Sequence, residues 1–596
     1  MKFVTTLFLL FMVSFAHSQT LSASRRVDWT VAGLNDTSTV GFTHLNATSF
    51  GMIGDGVSPN DQVFDSLLAL NYPNGVHFYF PAGTYVFNQT KTLPSNCWIS
   101  GDGAGATHFT FDLNGTGHAL QSSGQVVSGD SSSFLTAGNK GDHFIRVLNT
   151  AQFQAGDWVK FQLEDGDWVT SSWALKSVGQ IVKISSIAND TLYLASELRM
   201  DYPLNRFPKA IRLNMKRNIG VSCLSIERMD NTAPEQASNV QFSYVENAWI
   251  HGVESSKTTF AHFECEHASN VLVSNCYLHD AFDYGGGGRG YGVVLHFTTN
   301  ECLIENNVFK HLRHSVLLQA GSNGNVTAFN HSLDPYWTNG NPLLSGNSAG
   351  ELVLHGNYVY ANLFEHNVVQ NIVIDNSHGP NGPYNTFLRN RAELYGISFS
   401  DATSPSQNFL GNEVTNANFP YSAVNYSIQG VDQFSYGNNN KGTVSPVGTS
   451  NLMDTSYHYL TKPGFVQGYQ WGKIGLPNAM NAEGIPAKDR FEANEVFAGA
   501  CGSEDFYANT AVVETGRLGM YPNPCNDFVT IRSDEQMESL TVYGFRGEIL
   551  QSVNHLNAKQ STLDVSYLKE GFYIITVRLP NGTVKSEKLI VHPNHP

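Results

Sequence analysis

The chain of 596 residues carries 35 basic and 51 acidic side chains, a formal charge of −16, so no general electrostatic pull draws it toward nucleic acid or an anionic membrane. Only 14% of residues are charged, 41% are hydrophobic and 54 are glycine, which suits strands and turns and argues against a helix-rich fold. The length excludes one ordinary compact domain but not a solenoid, which grows in one dimension; one long domain plus something smaller is expected.

The first eighteen residues place Lys2 before an apolar run to Ala16, with small residues ahead of Gln19. This reads as a signal peptide over residues 1–18, because the run is too short to span a bilayer. Next, Asp61 is positioned to cap a short helix with Val63, Leu67 and Leu70 along one side, a plug for the open end of a coil. A strand over Val76 to Phe80, a turn at Pro81-Ala-Gly83-Thr-Tyr85 and the phrase Trp98-Ile-Ser-Gly101-Asp-Gly103 follow. Residues 104–238 read as further strands with irregular polar loops.

From about Asn239 to Asn416 a phrase recurs: an apolar pair, an asparagine, a turn. Its asparagines are Asn275, Asn307, Asn330, Asn367, Asn390 and Asn412, with a core spacing of 22 to 23 residues and insertions in two intervals. Each such unit is one coil of a stacked β-solenoid that buries an apolar face only against its neighbours. The asparagines are expected to bond from coil to coil as a ladder. Aperiodic, aromatic residues 417–499 then close the solenoid. A small-residue linker covers 500–517, and five short strands within 518–596 read as a β-sandwich. Seven cysteines are few and odd in number; a Cys265–Cys276 disulfide and buried free thiols are both open, and none has metal-ligand spacing.

Two resemblances add to this reading. The Thr48-to-Asp61 phrase with its Gly54-Asp55-Gly56, then Pro81-Ala-Gly83-Thr-Tyr85 and Gly101-Asp-Gly103, resembles the opening of the pectate-lyase superfamily. That resemblance implies an all-β fold, a right-handed parallel β-helix over residues 25–499 with its N-terminal cap at about 45–105 and its clearest coils at 239–416, and a carbohydrate groove along one sheet. The Tyr521-Pro-Asn-Pro524 opening, the Leu568-Lys-Glu-Gly571-Phe-Tyr573 phrase and the Ser586-Glu-Lys-Leu-Ile ending resemble the C-terminal sorting domain of the Bacteroidetes type IX secretion system. The secretion machinery is then a partner through residues 518–596, and the protein is expected to be secreted or held at the outer cell surface, as a monomer.

In the repeat, Val293-x-Leu295-His296, Val316-x-Leu318-Gln319, Ile372-x-Ile374-Asp375 and Ile397-x-Phe399-Ser400 fall into one register. Alternate strand residues face opposite ways, so His296, Gln319, Asp375 and Ser400 are expected to form an outward polar row. Around it lie His279, Asp280, Asp283, a four-glycine loop ending in Arg289, then Tyr291, Lys310, His311, Arg313 and His314, with His331, His355, His378, Arg389 and Arg391 further along. A basic patch in an acidic protein suits a polysaccharide bearing carboxylates or sulfates.

Two chemistries compete on this row. For β-elimination, Arg313 or Arg289 neutralises the carboxylate, His314 or His296 takes the proton, and Tyr291 donates to the leaving oxygen. For hydrolysis, Asp375 pairs with Asp283 or Asp280. The basic surroundings favour the lyase, because a carboxylate between cations stays ionised and makes a poor general acid. Gln319, His378 and Arg391 join Arg289 and Asp283 as candidate substrate contacts. No metal ligands stand out; calcium stays open without a clear ligand set, the superfamily's Arg-x-Pro-x-x-Arg signature being absent. A non-catalytic glycan-binding surface protein is the third reading.

Overall fold

The structure is a computed structural model that describes residues 20–35, 42–230, 232, 235–338, 349–419, 421, 426–497, 501, 518–544, 549–569, 571–580 and 584–591. The expected signal peptide and nearly all of the expected linker lie outside them. The chain divides into two compact units, residues 1–506 and 507–596.

The first unit is a parallel β-helix with three walls. Each coil contributes a strand to the first wall, as at Ser269–Ser274, Leu303–Glu305 and Val326–Ala328. A second strand follows, as at Tyr277–Ala281, Val308–Lys310 and His331–Leu333. The third comes from Ala261–Glu266, Tyr291–His296, His314–Leu318 and Leu352–His355 in successive coils. The alternation that predicted the register explains the core: Val293, Leu295, Val316, Leu318, Leu352, Leu354, Ile372 and Ile374 point inward and are buried. Each such side chain contributes about 1.5–3 kcal/mol of apolar burial. Phe364, Phe387 and Phe409 stack with ring centroids 4.8 and 5.0 Å apart, at the spacing of adjacent strands.

The asparagine ladder forms with one change of membership. The side-chain oxygens of Asn330, Asn367, Asn390, Asn412 and Asn438 each accept from the backbone N–H and the amide of the preceding rung at 2.9–3.1 Å. Asn307 starts this ladder. Asn275 is not a rung: Ser274 pairs with Glu305, which sets Asn275 beside Asn306 and bonds the two amides at 2.7 Å. A second ladder runs through Asn325, Asn362, Asn385 and Gln407.

At the N-terminal end the helix Asp61–Leu68 plugs the solenoid, but Phe64 is its centre, fully buried against Phe78, Phe80 and Phe87. Leu70 is exposed. Asp61 begins the helix rather than capping it, its carboxylate accepting the N–H groups of Asn88 and Gln89 and pairing with buried Lys91.

Residues 125–214 are not irregular solenoid loops. They form a six-stranded antiparallel sheet inserted within a single coil, since Leu120–Ser123 still pairs with Val240–Ser243, and Cys97–Ser100 with Ile219–Ser222. The insertion docks on the turns that follow the third wall. Arg199 and Glu301 form a buried ion pair, the Asn300 and Asn323 amides donate to Ile181 and Gly179 carbonyls, and the Tyr360 hydroxyl donates to Gly179 at 2.6 Å.

The closing segment covers the outer face of the first wall. Arg389 donates to the carbonyls of Leu452, Asp454 and Ile474, so this arginine and buried His331 belong to the scaffold rather than to a surface patch. The disulfide joins Cys223 to Cys501, with Cα atoms 5.7 Å apart, and not Cys265 to Cys276, which are buried free thiols. The second unit is an antiparallel β domain whose two 16-residue strands, Phe528–Tyr543 and Ile549–Asp564, pair along their length and enclose Val529, Ile531, Leu540, Val542, Ile575 and Val577.

Candidate active site

Strand register aligns the outward row on the third wall. Glu266 pairs with His296 and His355 with Asp375, while Gln319 follows the pair Leu295–Leu318 and Ser400 follows the pair Ile374–Phe399. The row therefore reads Glu266, His296, Gln319, His355, Asp375, Ser400. Glu266 was missed in the sequence and His355 was placed beside the row rather than in it, yet Leu352-x-Leu354-His355 and Phe263-x-Cys265-Glu266 carry the same apolar-x-apolar-polar phrase.

At the Asp375 end the side chains converge. Asp375 lies 2.6 Å from His355 Nδ1 and accepts both the backbone N–H and the hydroxyl of Ser377, at 3.0 and 2.6 Å. Burial alone would raise its pKa, but His355 and Ser377 prevail and hold it well below the usual carboxylate range. His355 is followed on one side by His314, with ring centroids 5.6 Å apart, and on the other by His378 at 4.8 Å. Both flanking imidazoles are pushed down by burial and by neighbouring His355, so they are neutral at neutral pH. His314 Nδ1 lies 2.8 Å from the Gly350 carbonyl, which can only accept; Nε2 then carries the lone pair and has no partner.

Tyr291 packs on His314 with centroids 4.7 Å apart. Burial raises its pKa, with Arg313 opposing and Asp375 reinforcing, so the phenol keeps its proton. Arg313 sits between the rings of Tyr291 and Trp337, 5.6 and 5.3 Å from their centroids, and donates to the Gly285 carbonyl. It has no carboxylate partner among the described residues, and its buried Nε is unbonded.

The other candidates are occupied elsewhere. His296 is buried, with Nε2 3.1 Å from Glu264 and Nδ1 3.3 Å from the Gln319 amide, which leaves no free ring nitrogen for a base. Arg289 is locked to Asp283, whose pKa it lowers together with the Gly285 N–H against the effect of burial. Asp280 pairs with His279 at 2.7 Å. Asp283 and Asp280 are thus each held by a cation or an imidazole, Arg289 and His279, while Asp375 is held by His355 and Ser377. Arg391 lies on the second wall, beside Val368 and Glu413, buried and paired with Glu413 at 2.7 Å; it is no part of the row. Ligating atoms of Glu264, Glu266 and His296 lie within 4.8 Å of one another, a potential cation set that the sequence did not reveal. Its carboxylates already accept from Ser238 and Ser243 at 2.6 Å.

The insertion reaches the same end of the row. Asn357 accepts the N–H groups of Thr170 and Ser171, and Ser171 Oγ approaches His378 Nδ1 at 3.3 Å. Trp168 stacks on Tyr358 at 4.4 Å.

Fold and site together define a parallel β-helix protein with an outward polar row on its third wall, an inserted antiparallel sheet beside that row and an appended antiparallel domain. Comparison with known proteins agrees in two segments. Residues 519–592 match the secretion system C-terminal sorting domain, and residues 44–207 match the family described as rhamnogalacturonase A/epimerase, pectate lyase-like. The sorting domain marks the protein as secreted or held at the outer surface; no helix among the described residues is long and apolar enough to cross a membrane. Similar solved structures include the tailspike gp49 of Pseudomonas phage LKA1, at 12% identity and TM-score 0.39, covering 66% of this chain and 77% of that one. The exopolygalacturonase of Thermotoga maritima is 11% identical with TM-score 0.36, covering 69% and 94%. The A-module of the mannuronan C-5 epimerase AlgE4 of Azotobacter vinelandii is 13% identical with TM-score 0.31, covering 68% and 100%. No curated protein sequence matches the chain.

Proposed function

We propose that the protein is a secreted enzyme that cleaves an acidic polysaccharide by β-elimination in the groove along the third wall. The observation that carries this reading is Arg313: a guanidinium without a carboxylate partner among the described residues, held between two aromatic rings in a protein of net charge −16. A cation so placed fits a uronate carboxylate, and neutralising that carboxylate acidifies the adjacent C–H.

In this reading Asp375 fixes His355 with Nδ1 protonated and Nε2 free to take the proton, the orienting role of a carboxylate on an imidazole. The electron pair left on carbon forms the new double bond, the glycosidic C–O bond breaks, and Tyr291 protonates the leaving oxygen. His314 is the alternative acceptor through its unpartnered Nε2. Hydrolysis needs a carboxylic acid that keeps its proton, and Asp375 and Asp283 are both held ionised. The purified protein should therefore release unsaturated products, absorbing in the near ultraviolet, from one or more of polygalacturonate, alginate and hyaluronan. New reducing ends without that absorbance would replace elimination by hydrolysis, and retention on a polysaccharide gel with neither signal would make the protein a binder.

A further inference from the structure

The insertion carries two tryptophans on the loop that reaches the row, and they are held in opposite ways. Trp168 has both faces covered, one by Tyr358 stacked at 4.4 Å and 9°, the other by the Arg206 guanidinium 3.6 Å from its centroid. It is an anchor. Trp173 touches only perpendicular rings, Phe297 at 5.8 Å and 89° and His378 at 5.4 Å and 82°. Among the described residues no ring lies parallel to its indole, and 46% of the residue is exposed. Leaving so large an apolar side chain in water has no stabilising return from folding.

The loop that bears Trp173 is fixed at both ends of the turn. Asn357 accepts from Thr170 and Ser171, Asp165 accepts the N–H groups of Lys176 and Val178 at 2.8 and 3.0 Å, and Thr298 donates to the Ser177 carbonyl. The indole is therefore presented on a rigid support rather than on a mobile tip. It also stands in line with the chemistry, since His378 is sandwiched between Trp173 and His355 with centroid spacings of 5.4 and 4.8 Å.

We propose that Trp173 is the platform of a saccharide subsite, on which a pyranose ring of the bound polysaccharide stacks beside the His355–Asp375 pair, with His378 and Ser171 as polar edge contacts. The apolar C–H face of a sugar matches an open indole face, while the imidazole and hydroxyl take its ring hydroxyls. The inserted domain thus sets which sugar unit is held next to the bond that breaks. This rests on the reading of the groove as a polysaccharide site, but not on the elimination chemistry.

The test uses the full chain and the variants Trp173→Ala, Trp173→Phe and Trp168→Ala, run through native gels containing polygalacturonate, alginate or neutral xylan. Wild type should be retarded by at least one acidic polymer, Trp173→Ala should lose about tenfold in apparent affinity, and Trp173→Phe should recover most of it. On a cleaved polymer the Trp173→Ala loss should appear in KM, with kcat changed by less than about twofold. Trp168→Ala, which loosens the loop, should also lower the melting temperature, whereas Trp173→Ala should not. Retardation without cleavage would support the subsite and sink the elimination reading. Equal affinity of wild type and Trp173→Ala, or no retardation of wild type by any of the three polymers, would overturn the subsite.

Discussion

Arg313 is the sharpest place to perturb the proposed chemistry. Among the described residues its guanidinium makes one hydrogen bond, to the Gly285 carbonyl, and its buried Nε has no partner. If a substrate carboxylate takes the guanidinium's other donors, the interaction is a charge-assisted pair worth roughly 1.5–3 kcal/mol in binding. A second contribution arises as the proton leaves and charge builds on that carboxylate; removing one such preorganised donor costs about 10²–10³ in turnover. Arg313→Ala should therefore lower kcat/KM by at least about a thousandfold, roughly 4 kcal/mol or more of transition-state stabilisation. Arg313→Lys keeps the charge but not the planar fork, and should restore about tenfold of that loss. The measurement is the initial rate of ultraviolet absorbance across a substrate series, with far-ultraviolet circular dichroism and a thermal melt to confirm that the coils persist. A rate within about threefold of wild type for Arg313→Ala would remove the guanidinium from the mechanism.

Asp375→Asn should lower kcat by about three to four orders of magnitude with little change in KM, because the amide no longer fixes the His355 tautomer; an unchanged kcat would free His355 from that role. Asn367→Ala should destabilise the solenoid by about 3–5 kcal/mol, read as a lower melting temperature, since it strands the Asn330 amide and the Thr327 carbonyl in the core; a melt within a degree of wild type would deny the ladder its structural weight. Burial pushes the Glu351 carboxyl up to about 8, above its unfolded value, so the folded state keeps a proton that the unfolded chain releases. Stability should then fall as pH rises from about 4.5 to 8, and Glu351→Gln should reduce that fall; identical pH dependence of the two melts would refute the burial argument.

How far the sequence could be read depended on how local each signal was. Alternation within a strand gave the inward Val293 and Leu295 and the outward His296, because a period of two requires only neighbouring residues. The ladder from Asn307 onward was equally legible, whereas Asn275 was misplaced by one residue: an asparagine before a turn looks the same in either of two adjacent rungs. Pairings that join distant segments left no such trace. Cys223 and Cys501 are 278 residues apart, and nothing near either distinguishes them from Cys265 or Cys276. Arg391 and Arg389 read as surface cations because a basic side chain directly flanking a ladder asparagine can face either wall; Glu413 and the carbonyls of the closing segment decided the matter. Trp173 was invisible for the same reason, since its insertion meets the coils only in three dimensions.

Burial sorts the carboxyl groups into two populations, and the division bears on mechanism. Glu264, Asp283 and Asp375 are held below their ordinary range by imidazole, guanidinium, hydroxyl and N–H partners that outweigh burial. Glu305 and Glu365 under the closing segment, pushed up to about 7, and Glu351 at about 8 face too few donors to offset it. Glu264, Asp283 and Asp375 are therefore ionised between pH 5 and 8, while the scaffold loses stability as its buried carboxyls release their protons. A hydrolytic general acid would give a bell-shaped rate profile whose alkaline limb lies at a raised carboxyl pKa, and it needs a carboxyl that holds its proton. Asp375, bonded to His355 and Ser377, is arranged to do the reverse.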